Sequence, residues 1–134
     1  MGLIYLDACL LIYAFEDDAL PGQRVRAAMA RHAADHFAIS PLVKFECLVG
    51  PMRSGNLLLQ RHYQEGLRQL RLLAMPDEVY TLGAELRARF GLKPADALHL
   101  ATAQFHRCDA LWTNDTRLAK AAHGLAKDML HASP

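Results

Sequence analysis

Four short apolar runs, each giving way within a residue or two to a helix start, constrain this chain more than any other feature. Leu3-Ile4-Tyr5-Leu6 leads into Asp7, and Phe37-Ala38-Ile39-Ser40 into Pro41. Leu72-Leu73-Ala74-Met75 closes on Pro76-Asp77, and Ala110-Leu111-Trp112-Thr113 on Asn114-Asp115. A fifth short strand is expected over 126–130. Strands that alternate with helices imply parallel strands joined by right-handed crossovers. The expected class is therefore α/β, with a four- to five-stranded parallel sheet between helical layers.

The intervening segments carry helical spacing. Leu10, Leu11, Tyr13 and Phe15 follow the first strand, and Glu16-Asp17-Asp18 followed by Pro21-Gly22 reads as a break before an alanine-rich helix over 24–34. Pro41 opens a helix through Val43, Phe45, Glu46, Cys47 and Leu48, which Gly50-Pro51 is expected to interrupt. Ser54-Gly55-Asn56 reads as a turn and cap before a helix over 57–70, with leucines at 57, 58, 59, 67 and 70. Further helices are expected over 78–90, capped by Gly91, from Pro94 through Phe105, and over 115–122 ahead of Gly124. With 134 residues, no internal repeat and no low-complexity linker, one domain over 1–134 is expected.

Asp7, Glu46, Asp96 and Asp115 stand out against this framework. Singly, three of them have a structural explanation. Asp7 and Asp115 suit helix caps, and Asp96 suits a first helical turn, where negative charge gains roughly 0.3–1 kcal/mol. Glu46 lies in the apolar stretch Val43 to Val49, where a carboxylate is costly unless paired or metal-bound. Together they mean more. Their spacing of 39, 50 and 19 residues places them on separate strand–helix units that can share the carboxyl edge of one sheet. Clustered carboxylates repel one another, and oxygen-only donors select hard cations, so Mg2+ or Mn2+ is expected rather than zinc.

Several classes are excluded or weakened. No apolar run approaches the roughly 20 residues that span a bilayer, and no basic leader precedes Leu3, so a cytoplasmic protein is expected. Cys9, Cys47 and Cys108 form no C-x-x-C pair, which removes zinc-ribbon and thioredoxin readings. His32 and His36 are four apart but lack the glutamate of a metalloprotease motif. A net charge of +1 becomes 15 minus 10, or +5, once the four acids are set aside as cation ligands. Arg24, Arg26, Arg31, Lys44, Arg53, Arg61, Arg68 and Arg71 fall in one stretch, and arginine outnumbers lysine eleven to four. Its planar fork suits phosphate oxygens, so a polyanionic substrate is favoured.

Ile4-Tyr5-Leu6-Asp7, Ser40-x5-Glu46, the run Pro94-Ala95-Asp96-Ala97-Leu98-His99-Leu100-Ala101-Thr102-Ala103, and Thr113-Asn114-Asp115 occur in that order over nearly the whole chain. They resemble a PIN domain, and more narrowly the VapC toxins of bacterial toxin–antitoxin pairs. The resemblance implies a three-layer α/β/α PIN-like fold and a magnesium-dependent endoribonuclease, with manganese able to substitute. It also implies a homodimer, held inactive by a VapB-type antitoxin whose C-terminal segment enters the acidic groove. On the same footing Asp7, Glu46, Asp96 and Asp115 are the catalytic and metal-binding quartet, with Ser40, Thr113 and Asn114 in support.

The chain departs from that pattern in one place. Many relatives follow the first aspartate with Thr or Ser, whereas Ala8 and Cys9 stand here. The missing hydroxyl supports an alternative, a PIN-like RNA- or antitoxin-binding module with little catalysis. Thr113 and Ser40 are the residues able to supply such a hydroxyl. His99 reads as a structural partner rather than a general base. A haloacid-dehalogenase-type phosphatase is disfavoured because Cys9 stands where it needs a second aspartate. A receiver domain is disfavoured because 72–75 ends without an adjoining acid pair.

Overall fold

A computed structural model of the chain describes residues 2–33, 36–121 and 126–128. Five strands are seen among them: β1 (Ile4–Leu6), β2 (Phe37–Ile39), β3 (Arg71–Leu72), β4 (Ala110–Thr113) and β5 (Ala126–Asp128). Every pairing is parallel and the order is β3-β2-β1-β4-β5. Each residue of β1, β2 and β4 is buried, as expected for parallel strands covered on both faces. Such strands read as continuous apolar runs, which is why all three are visible in the sequence.

Helices α1 (Ala8–Glu16) and α2 (Leu20–Ala30) connect β1 to β2, and α3 (Pro41–Ser54) and α4 (Leu57–Arg68) connect β2 to β3. Helices α5 (Asp77–Phe90) and α6 (Pro94–Phe105) return the chain across the sheet to β4, and α7 (Thr116–Ala121) leads to β5. Helix α1 packs on α2 and α3, and α3 on α4; α6 packs on α5 and α7. The result is three layers, with α1 to α4 on one face and α5 to α7 on the other. From β1 the chain moves towards β2, whereas from the neighbouring β4 it moves the other way to β5. Beyond the carboxyl ends of β1 and β4 the connections diverge and open a crevice, the usual ligand position in such sheets.

Local details differ from the sequence reading. Helix α3 does not stop at Gly50-Pro51 but continues to Ser54 and ends on Gly55, whose φ of 68° is left-handed. Pro51 is buried in the core side of that helix, so one lost backbone bond is outweighed by packing. The break expected over Glu16-Asp17-Asp18 and Pro21-Gly22 falls at 17–19, between α1 and α2, and Pro21 itself sits in the first turn of α2, where its missing N–H costs nothing. The helix ends at Ala30, so His32 and His36 do not share it. Instead His32 packs edge-on against Phe37 and Trp112, each 5.6 Å between ring centres. The third strand is Arg71–Leu72 rather than 72–75, and both of its residues are exposed at the sheet edge. Expectations for Ala34, Ala122, Gly124 and 129–130 lie outside the described residues. Among the described residues no helix is long and apolar enough to cross a membrane.

The acidic edge as candidate active site

The sheet delivers Asp7 directly to the crevice. Its backbone N–H donates to the carbonyl of Trp112 at 3.1 Å, extending the β1–β4 pairing by one residue. Its side chain caps α1, with Oδ1 accepting from the Cys9 N–H at 3.3 Å, and Oδ2 accepts from Thr113 Oγ1 at 2.8 Å. Thr113 Oγ1 in turn accepts from the Asp115 N–H at 3.0 Å. Asp115 Oδ1 then accepts from Leu118 N–H at 3.2 Å at the start of α7. The capping roles read from the sequence for Asp7 and Asp115 are therefore present. They fix both carboxylates at adjacent strand ends rather than removing them from the crevice. Asp7 is only 3% exposed, while Asp115 and Asn114 are half-buried.

Asp96 reaches the same place from α6. Its carboxyl is pushed up to about 6, first by burial and then by the negative charges of Asp115 and Asp7. The charges of Asp115 and Asp7 are thus felt at Asp96, which opens α6 on the same side of the sheet. Glu46 enters from α3 and is 30% exposed; its Oε1 lies 2.5 Å from His99 Nε2. Cys9, at the surface beside Asp7, has its thiol pushed up to about 12, first by desolvation and then by the negative charges of Asp7, Glu46, Asp96 and Asp115. A thiol so placed stays protonated and is a poor nucleophile.

The two hydroxyls nominated for the missing position differ. Thr113 points its hydroxyl at Asp7. Ser40, fully buried, points its own at Tyr5 Oη, 2.8 Å away, while capping α3 through the Val43 N–H. His99 is 1% exposed with Nδ1 at 2.7 Å from Tyr5 Oη, so both of its ring nitrogens are occupied and it does not face the crevice. The Glu46–His99 pair has no signal in the sequence, because nothing local links residues 53 apart.

A family model, the PIN domain, matches residues 4–124. The chain belongs to the PIN domain family. No curated protein matches the chain. Among solved structures, this PIN domain is similar to a toxin–antitoxin complex from Klebsiella pneumoniae, at 23% identity and a TM-score of 0.78 over 94% of this chain and 97% of that one. It is also similar to FitAcB from Neisseria gonorrhoeae, at 22% identity and a TM-score of 0.81 over 97% and 100%. A third is the Mycobacterium tuberculosis toxin VapC20, described as cleaving the sarcin–ricin loop, at 13% identity and a TM-score of 0.71 over 88% and 94%.

Whether this PIN domain suits a divalent cation depends on its donors. Among the described residues no three His, Cys, Asp or Glu side chains are spaced to enclose a metal ion. Magnesium seldom needs such a cage, since it keeps several waters and takes one or two carboxylates beside substrate phosphates. The donors facing the crevice are carboxylate oxygens, and their mutual repulsion at Asp96 is an excess of negative charge that a hard cation relieves. The residues fit such an ion.

The basic residues divide. Arg26 is turned inward, donating to the carbonyls of Ala14 and Asp17 at 3.1 and 2.7 Å. Arg53, Arg61, Arg68 and Arg71 are exposed. Lys44 and Arg68 line a cleft of about 470 Å³ with Gln64 and Leu72, beside the β2–β3 edge. Of the leucine-rich helix, Leu67 is buried and Leu59 packs on the core, whereas Leu57 and Leu58 are 66% and 80% exposed.

Proposed function

We propose that the chain is a single PIN domain over 1–134 that hydrolyses RNA phosphodiester bonds with one or two divalent cations, as the toxin of a VapBC-type pair. The observation that carries this reading is the joining of Asp7 and Asp115 through the Thr113 hydroxyl at the adjacent carboxyl ends of β1 and β4, and the raised Asp96 carboxyl agrees with it. Family membership supports nuclease chemistry. The sarcin–ricin loop cleavage of VapC20 and the toxin–antitoxin assembly of the Klebsiella complex support an RNA substrate and an antitoxin partner. Phe45 and Met52 of α3, with Leu57 and Leu58 of α4, present exposed apolar surface suited to a second copy or that partner.

When bound, Mg2+ or Mn2+ would polarise the phosphodiester and acidify a water for in-line attack. Asp7 and Asp96 would hold it, with Asp115 and Glu46 orienting waters around it. Asp7 needs no rearrangement, because the Cys9 N–H and the Thr113 hydroxyl already fix its two oxygens. Asp96, held partly protonated by its neighbours, would serve as a ligand in its ionised form. Lys44, Arg68 and the exposed arginines nearby offer contacts to flanking phosphates. Cys9 takes no covalent part.

Purified protein free of partner is expected to cut single-stranded RNA with magnesium or manganese and to stop with EDTA. Asp7→Asn and Asp96→Asn should each abolish cutting while leaving the fold intact by circular dichroism. Undiminished cutting by either variant would overturn the assignment. Tight antitoxin-peptide binding without metal binding would instead favour the non-catalytic module.

A further inference from the structure

We propose that Ser40, Tyr5 and His99 form a one-way hydrogen-bond chain that positions Glu46 as a cation or water ligand, making His99 a positioning residue of the site. The inference rests on the reading of the acidic edge given above. Four residues are joined end to end, Tyr5 from β1, His99 from α6, Glu46 from α3 and Ser40 from the cap of that same helix. Ser40 Oγ lies 2.8 Å from Tyr5 Oη, Tyr5 Oη 2.7 Å from His99 Nδ1, and His99 Nε2 2.5 Å from Glu46 Oε1. The three inner members have 1% exposure or less, and Glu46 alone opens to the crevice.

The direction of donation follows from the two ends. Glu46 as a carboxylate only accepts, so His99 Nε2 must carry a hydrogen. At the other end the Val43 N–H can only donate, so Ser40 Oγ accepts from it at 3.4 Å and sends its own hydrogen to Tyr5. Tyr5 then donates to His99 Nδ1, which acts as the acceptor, while Nε2 carries the ring hydrogen towards Glu46. The reverse order would set a bare nitrogen against a carboxylate. Each donor in the favoured order has one acceptor, and the polarity of the chain ends on Glu46.

Placement gives this chain a purpose beyond packing. His99 lies three residues after Asp96 on α6, so the two share a helix face. Asp96 comes to the crevice from the α5–α7 layer and Glu46 from the α1–α4 layer. The His99–Glu46 contact ties those layers together at the sheet edge and sets the distance between two acids that nothing else in the sequence couples. Tyr5, on the central strand, fixes the ring from below. Partners of this kind orient ligand carboxylates and imidazoles in known metal sites, and losing one lowers metal affinity roughly tenfold to a hundredfold.

Two measurements test it. Side-chain 15N NMR of the wild-type protein should show one imidazole as the neutral Nε2–H tautomer with Nδ1 accepting, and its signal should vanish in His99→Gln. A hydrogen found on Nδ1 would overturn the directional chain, whatever the protein's activity. Manganese affinity by calorimetry should fall roughly tenfold or more in His99→Leu and recover largely in His99→Gln, whose amide can donate to Glu46 and accept from Tyr5. Tyr5→Phe, a gentler change should the leucine variant fold poorly, should lower affinity by a smaller factor with the melting curve still cooperative. Wild-type affinity in a folded Tyr5→Phe or His99→Leu protein would reduce His99 to a core residue. Failure of the wild type itself to bind manganese would instead sink the metal reading on which the role depends, and the tautomer result would still stand or fall alone.

Discussion

Replacing Asp96 by asparagine should stabilise the metal-free protein while destroying its activity. The Asp96 carboxyl is raised from 3.8 to about 6 by burial and by Asp115 and Asp7, so in its ionised form it opposes folding. A shift of about two pH units corresponds to at most ~3 kcal/mol. Asp96 is half-buried, and solvent screening brings the expected gain down to about 1 kcal/mol. For a chain of this size that is an increase in melting temperature of roughly 3–5 °C. The pH dependence has a definite sign. Below about 4 both folded and unfolded chains hold the Asp96 proton, and the variant has no advantage. Between about 4 and 6 the unfolded chain has lost the proton that the folded chain keeps, so wild-type stability falls as pH rises. Above about 6 the variant's advantage is constant. The assay is urea unfolding of both proteins in EDTA across this range, repeated with magnesium, which should stabilise the wild type and leave the Asp96→Asn protein nearly unmoved. An Asp96→Asn protein no more stable than wild type at neutral pH, or equally advantaged at pH below about 4, would refute the repulsion among these acids.

Three further expectations concern other residues. Thr113→Val keeps the shape but leaves Asp7 Oδ2 and the Asp115 N–H without their shared partner; a loss of about 2 kcal/mol in urea unfolding is expected, with weaker manganese binding by calorimetry. Gly22→Ala would set a Cβ 2.0 Å from the carbonyl oxygen of Asp17, where α2 crosses the end of α1; the backbone must shift, and a loss of about 1–3 kcal/mol should be read from chemical denaturation. Cys9, with a thiol pushed up to about 12, should alkylate far more slowly at neutral pH than a free thiol, and Cys9→Ser should retain RNA cutting in a gel assay.

The fold is legible in the sequence where the physics is local. Ile4–Leu6, Phe37–Ile39 and Ala110–Thr113 are buried on both sides and so appear as unbroken apolar runs. Arg71–Leu72 is misplaced by such a reading because an exposed edge strand has no reason to be apolar. The break before Pro21 is legible because it ends one helix and opens the next, whereas Pro51 reads as a break yet is carried within a helix by core packing, which only tertiary contact decides. The acids themselves can be named from their positions after strands and in a first helical turn. Their supports cannot. Thr113 holding Asp7, and His99 holding Glu46, are contacts between residues 106 and 53 apart, and no periodicity encodes them. Ser40 offers a hydroxyl for the crevice on sequence grounds, but its cap on α3 and its bond to Tyr5 turn it into the core.

The most direct test of the central claim is anomalous diffraction from crystals of the chain grown with manganese. Density for the ion is expected beside the Asp7 and Asp96 carboxylates, within reach of Asp115 and Glu46 through water, and absent from crystals of Asp7→Asn. Manganese bound elsewhere, or an acidic edge left without anomalous density while the wild type still cuts RNA, would contradict a single cation site built from these four acids.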